Sequence, residues 1–126
     1  MKPAANEWIL KAEGDWGTAT REMVVTPDPN FDAVCFHAQQ CAEKYLKALL
    51  VTRNIEFPRT HDLAMIADLA GTDNASLTAL RDKITRLSAM AVEVRYPGTS
   101  AERADAEEAI LTCGELREAL RQHFQL

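Results

Sequence analysis

The chain lacks any apolar run of about 18 residues, so the sequence predicts no membrane-spanning helix. Its first segment is interrupted by Lys11, Glu13 and Asp15 and has no apolar stretch typical of a secretory signal, so we expect a cytoplasmic protein. The glycines do not form a phosphate-binding loop, and the three histidines are too scattered for a zinc site. We therefore expect neither a metal nor a cofactor.

Cysteine is also scarce, with Cys35, Cys41 and Cys113 as the three examples. An odd number of cysteines without a Cys-x-x-Cys pair favours neither a disulfide framework nor a zinc site. Each cysteine falls in a helical pattern, where a free thiol packs as a small apolar side chain. The sequence therefore predicts three reduced thiols, buried in the core.

An excess of positive charge is missing as well. The net charge is −5 and the pI is about 5.2. Proteins that bind nucleic acids usually carry a basic surface patch. The overall charge balance therefore argues mildly against RNA or DNA as the main ligand, although a local patch could still bind one.

What the sequence does contain is helical periodicity, in which apolar residues recur every three or four positions. Pro27 and Pro29, Pro58, Gly71 and Pro97 separate the periodic segments. The pattern predicts one all-α domain over residues 1–126, a five-helix up-and-down antiparallel bundle. The predicted helices cover about 5–25, 31–53, 61–70 and 75–94, and the last begins near residue 100. Thr60 is the expected N-cap of the third helix, and Thr99 and Glu102 have capping-box spacing before the last.

Three blocks of this sequence resemble the HEPN family, named for its occurrence in higher eukaryotes and prokaryotes. They are Phe36–Leu50, Phe57–Leu63 and Val94–Pro97, in that order. The resemblance implies a helical bundle that forms a homodimer and binds nucleotides. It also implies a partner, because such proteins are often paired in bacteria with a small nucleotidyltransferase, frequently as a toxin–antitoxin system.

Other members of that family are metal-independent RNases. They use an arginine and a histidine with four to six residues between them, at a site made by two protomers. Arg117 and His123 match this spacing with Glu118 as the polar residue between them, but they lie at the end of the last helix, where the family motif is not expected. Arg95 has no histidine within reach. The sequence therefore favours a module that homodimerises and acts with a nucleotidyltransferase, and an RNase toxin is the alternative.

A polar stripe on the second helix is the first candidate site. His37, Gln40 and Lys44 are separated by three and four residues, which places them on one face. They could form a groove for a phosphate or a nucleotide, or they could make hydrogen bonds between helices. Glu43 and Lys47 have the spacing of a helix-supporting ion pair.

Two further pairs complete the candidate ligand-binding set. His61 and Asp62 lie at the start of the third helix, where they could act on a ligand or dock and cap the helix. Arg95 could grip a phosphate and Tyr96 could stack on a base, or the two could form a buried arginine network with an aromatic plug. The predicted ligand site comprises His37, Gln40, Lys44, His61, Arg95 and Tyr96.

Overall fold

The computed structural model describes residues 1–126 and contains six helices and no strand. The all-α prediction is confirmed. None of the six helices is both long and apolar enough to cross a membrane. In chain order, the helices are α1 (Pro3–Met23), α2 (Phe31–Thr52), α3 (Leu63–Ala70), α4 (Ala75–Ala79), α5 (Arg81–Glu93) and α6 (Arg103–Phe124).

The sixth helix arises because the predicted fourth helix is divided at Leu80. The backbone N–H of Leu80 bonds to the Leu77 carbonyl three residues earlier, with φ −92° and ψ −2° at Leu80. Ile84 then bonds back to Leu80, and α5 continues. Leu77, Leu80 and Ile84 are all buried. The apolar spacing therefore passes through the bend unchanged, which is why periodicity predicted one helix.

Two predicted caps shift along the chain. Asp62, not Thr60, caps α3, because its carboxylate accepts from the Met65 N–H at 3.2 Å. Thr60 instead accepts from the Asp62 N–H, and His61 consequently precedes the helix.

The capping box of α6 likewise lies three residues later than predicted and pairs Glu102 with Asp105. Asp32 of α2 accepts from the Ala101 N–H at 2.6 Å and anchors the chain before α6 begins.

The core surrounds α2, which packs against α1, α3, α5 and α6. Tyr45, Leu46, Leu49 and Leu50 of α2 are fully buried. Each buried leucine side chain contributes about 1.5–3 kcal/mol through removal of apolar surface from water. The core therefore holds α2 as a rigid support for the polar side chains along its flanks.

The direction of the helices follows from their cross-contacts. Along α1 and α2, Trp8 lies near Lys47 and Asp15 near His37, so these two helices are antiparallel. The 53–62 segment then returns along α2 toward its start. Helix α3 runs parallel to α2, because His61 lies beside Gln39 at one end and Ala70 lies beside Arg53 at the other. Helix α6 is also parallel to α2, because Ala101 lies beside Asp32 near the start of both helices and Arg121 lies beside Tyr45 further along them. The order is therefore less regular than a strict up-and-down alternation.

Candidate functional site

Two members of the predicted stripe meet at Asp15 of α1. His37 Nδ1 lies 2.8 Å from Asp15 Oδ1, and Lys44 Nζ lies 2.5 Å from Asp15 Oδ2. Asp15 is largely buried, with 11% of its side chain exposed. His37 and Lys44 are therefore engaged in hydrogen bonds between α1 and α2, as in the second arrangement that the sequence allows.

Gln40 belongs to a different network. Its amide donates to Gln39 Oε1 at 2.8 Å, and the Gln39 amide donates to the His61 carbonyl at 3.0 Å and to Glu43 Oε1 at 3.3 Å. Gln39 is 1% exposed and Gln40 9%. The structure thus links Gln40 to His61 through Gln39, and separates it from the Asp15 cluster of His37 and Lys44.

Glu43 is the centre of this second network. Its carboxylate is 2% exposed and binds Lys47 Nζ at 3.0 Å and His61 Nδ1 at 3.0 Å. The Lys47 ammonium also lies over the rings of Trp8 and Phe57. A buried charge is costly unless it is paired and hydrogen-bonded, and here the carboxylate has three donors. Glu43 and Lys47 are thus a buried interior pair, and not only a support for α2.

His61 connects this buried network to the surface. Its ring is 64% exposed, although Nδ1 faces Glu43. A carboxylate only accepts hydrogen bonds when ionised, so Nδ1 carries the hydrogen and donates it. In the neutral imidazole, Nε2 is then an acceptor and lies on the side of the ring away from Glu43.

Arg95 and Tyr96 lie in the turn that follows α5, not within the helix. The Arg95 guanidinium lies 5.6 Å from the centre of the Phe36 ring, in cation–π geometry, and forms no ion pair. Tyr96 is 65% exposed. Neither residue is buried, so the interpretation as a buried arginine network with an aromatic plug is wrong. Phe36 adjoins His37 edge-to-face, so the Arg95 guanidinium lies near the Asp15 cluster.

Arg117, of the candidate RNase pair, is held by Glu13 of α1. Its Nε and Nη2 each donate to a Glu13 carboxylate oxygen at 2.7 Å, and its guanidinium lies over the Trp16 ring. The Tyr45 hydroxyl donates to Glu13 Oε2 at 2.6 Å, and Arg121 Nη1 lies 3.7 Å from Glu13 Oε1. The bidentate bond from Arg117 lowers the pKa of Glu13, and the same contact raises the pKa of Arg117. Burial, reinforced by the bond to Glu13, raises the pKa of Tyr45.

His123 is exposed, and its ring contacts Phe124 edge-to-face. Six residues of α-helix rotate a side chain by roughly 600°, so Arg117 and His123 point in directions about 120° apart. A single protomer therefore does not bring the two side chains together.

The acidic partners of the predicted site residues were not assigned to the site from the sequence, which paired Glu43 only with Lys47. Glu13, Asp15 and Glu43 each neutralise predicted site residues, and Glu13 and Asp15 come from a different helix. Helical periodicity gives each helix its own faces but does not show which face of α1 meets α2. A seven-residue separation between His37 and Lys44 indicates a shared stripe, and only packing reveals the carboxylate between them.

The cysteines follow the prediction, since Cys35, Cys41 and Cys113 are free and buried. Burial raises the pKa of Cys35 to about 12, and the neighbouring Cys113 thiol together with burial raises that of Cys41 further. No group of three or more His, Cys, Asp or Glu side chains is placed to hold a metal ion.

Comparison with known proteins gives one family and two similar structures. The profile of the HEPN domain family matches residues 5–123. The crystal structure of TT1696 from Thermus thermophilus superimposes with a TM-score of 0.79 at 19% identity, covering 96% of this chain and 98% of that one. ST0689, described as an archaeal HEPN homologue, superimposes with a TM-score of 0.73 at 27% identity, covering 98% of both chains. No curated protein matches the sequence.

Proposed function

Because this chain belongs to the HEPN family, we propose that it is a helical module that homodimerises and acts together with a small nucleotidyltransferase, as one half of a toxin–antitoxin-type pair. The observation that carries the proposal is the internal neutralisation of its basic candidates. His37 and Lys44 share Asp15, and Arg117 is bound by Glu13. A phosphate backbone would have to break these contacts before it could use the same cations, whereas a protein partner would not.

A nucleotide, the other ligand that the family suggests, fits best beside Arg95 and Tyr96. Among the candidate lysines and arginines, Arg95 alone has no carboxylate partner. Its guanidinium lies over the exposed ring of Phe36, and exposed Tyr96 follows it in the chain. A guanidinium suits a phosphate, and an exposed ring suits a base. From the predicted six-residue site we therefore propose Arg95 and Tyr96 as the nucleotide-binding residues, with His37 beside Phe36.

Calorimetry with ATP, UTP and GTP tests the nucleotide component. We expect heat of binding for the native chain, a loss of it in Arg95→Ala, and no change in Arg59→Ala, which removes an exposed arginine from the 53–62 segment. An absence of heat at millimolar nucleotide would remove these ligands from the proposal and leave the protein-partner component intact.

Co-purification tests the partner component. The tagged chain is co-expressed with the products of the genes on either side of its own. The proposal predicts that one of them is a small nucleotidyltransferase, and that its complex with the chain survives affinity and size-exclusion steps. A control with an unrelated nucleotidyltransferase of similar size should not co-elute. Absence of association with any neighbouring gene product would count against the proposal.

A metal-independent RNase remains the alternative, with Arg117 and His123 contributed by two protomers. It predicts RNA cleavage in the presence of a chelator, and loss of that cleavage in Arg117→Ala and His123→Ala. The Glu13 contact opposes this alternative, since it occupies the edge of the guanidinium that a scissile phosphate would need. Undiminished cleavage in both variants would eliminate this site.

A further inference from the structure

A groove separates the start of α3 from the exposed face of α5. Its volume is about 590 Å³, and most of its surface is apolar. On the α3 side it is lined by His61, Asp62 and Ala64, and on the α5 side chiefly by Thr85, Ala89 and Val92. Val92 is 49% exposed although it is a large apolar residue. This apolar surface, here called the α3–α5 groove, is left uncovered by the rest of the chain.

The rim of the α3–α5 groove is acidic and uncompensated. Asp62 and Glu93 line it, no lysine or arginine does, and neither carboxylate is in an ion pair. The cations of α5 do not neutralise the rim, because they are bound elsewhere: Arg81 to Asp68, Lys83 to Glu115 and Arg86 to Glu108.

His61 adds a third acceptor to the same rim. Its Nδ1 faces Glu43, so Nε2 lies on the exposed side of the ring and is an acceptor whenever the imidazole is neutral. The hydroxyl of Ser88 accepts from the Leu63 N–H at 3.2 Å. The lysine- and arginine-free rim is thus negatively charged at Asp62 and Glu93.

We propose that the α3–α5 groove docks a basic amphipathic helix of the partner protein, an inference that rests on the proposed function and adds the chemistry of the partner. Thr85, Ala89 and Val92 lie on one face of α5 over about 10 Å, roughly two turns, which suits a helix laid in a groove. Apolar side chains of that helix cover Ala89 and Val92. Its lysines or arginines meet Asp62 and Glu93, and a donor reaches His61 Nε2.

Charge selects this occupant over two others. A second copy of the chain docked groove to groove would bring Asp62 and Glu93 of both copies together, and like charges across an interface are repulsive. An RNA backbone would place phosphates against the same carboxylates. A basic helix is the occupant whose charge complements the rim.

The test measures the affinity of the co-purified nucleotidyltransferase for four forms of the full-length chain. Ala89→Arg fills the groove and adds a positive charge beside its acidic rim, and Asp62→Asn with Glu93→Gln removes the rim charge while keeping an N-cap residue at position 62. The control, Glu56→Gln with Glu107→Gln, removes two exposed charges outside the groove. Melting curves establish that each variant folds, which is expected because Ala89 and the changed carboxylates are exposed.

We expect about tenfold weaker binding for the rim variant, a smaller dependence of its affinity on salt, and loss of the complex in Ala89→Arg. The control should bind like the native chain. A native complex that both groove variants leave intact would overturn the groove assignment and leave the proposed function standing. If the native chain forms no complex at all, the proposed function itself fails, and this inference with it. A dimer that dissociates in Ala89→Arg would show that a second copy occupies the groove, and would overturn the assignment to a partner protein.

Discussion

Replacing Glu13 by glutamine removes one charge from the contact that joins α1, α2 and α6. In the native chain, its carboxylate accepts two hydrogen bonds from Arg117 and one from the fully buried Tyr45. Glutamine has the same shape as glutamate but only one acceptor oxygen. Its NH₂ group would therefore face the Arg117 or Tyr45 donors. Glu13→Gln therefore leaves at least one of the Arg117 and Tyr45 donors without a good acceptor.

The expected cost is moderate because the site is partly exposed. A hydrogen bond to a charged group contributes about 1.5–3 kcal/mol when buried. Glu13 is 30% and Arg117 24% exposed, so solvent screening reduces this value. We expect Glu13→Gln to lower the free energy of unfolding by about 1–2 kcal/mol, and the melting temperature by about 3–8 °C.

Urea unfolding followed by circular dichroism measures this difference at pH 7. Glu7→Gln is the matched control, because Glu7 is exposed on the same helix and forms no ion pair, and its effect should stay within about 0.5 kcal/mol. A double-mutant cycle with Arg117→Met isolates the pair, and we expect a coupling energy of about 1 kcal/mol.

The pH dependence gives an independent check. The folded-state pKa of Glu13 is lowered from the ordinary value of 4.5, so the unfolded chain binds its proton more readily. The stabilisation by Glu13 is thus complete above pH 4.5 and is lost as the pH falls through the lower folded pKa. The gap between native and Glu13→Gln should close in acid. Equal stability of Glu13→Gln and Glu7→Gln at pH 7, or a gap that widens in acid, would refute this assignment.

Three further predictions concern the rest of the fold. With its pKa raised to about 12, buried Cys35 should not react with a thiol reagent at pH 8 until the chain unfolds, and fast labelling of the native chain would contradict its burial. Gly14→Ala should stabilise α1 by about 0.5–1 kcal/mol, since nothing lies within 4 Å of the added Cβ. Gly114→Ala should stabilise α6 less, because its Cβ would lie 3.2 Å from Trp16, and equal gains in thermal unfolding would contradict the Trp16 contact. Asp62→Ala should cost about 1 kcal/mol through loss of the α3 N-cap, and Asp62→Asn should largely preserve stability.

The sequence predicted the helices well where the apolar periodicity and the chain-breaking residues indicate the same helix boundaries. The apolar face of α2 and the turn at Pro27–Pro29 are visible in the sequence because each depends on neighbours along the chain. The bend at Leu80 is not, since its flanking leucines keep helical spacing. The starts of α3 and α6 shifted because Asp62 competes with Thr60 as a cap, and because a distant residue, Asp32, holds Ala101.

The candidate site was less predictable because its geometry is made between helices. His37 and Lys44 were correctly placed on one stripe, but their shared partner comes from α1. Glu43 has the spacing of a surface ion pair, yet the 53–62 segment folds back over it and buries it. Which charged residues are neutralised depends on packing, and neutralisation is what separates a phosphate-binding site from a structural one.

Light scattering of the chain, co-expressed with the nucleotidyltransferase that the proposal assigns to it, tests the proposed function most directly. One chain has a mass of 14.0 kDa. We predict a complex whose mass equals two copies of the chain plus the nucleotidyltransferase, and no RNA cleavage by the chain alone in the presence of a chelator. A homodimer that does not bind the nucleotidyltransferase, together with chelator-resistant cleavage that requires Arg117 and His123, would contradict the proposal and establish the RNase alternative.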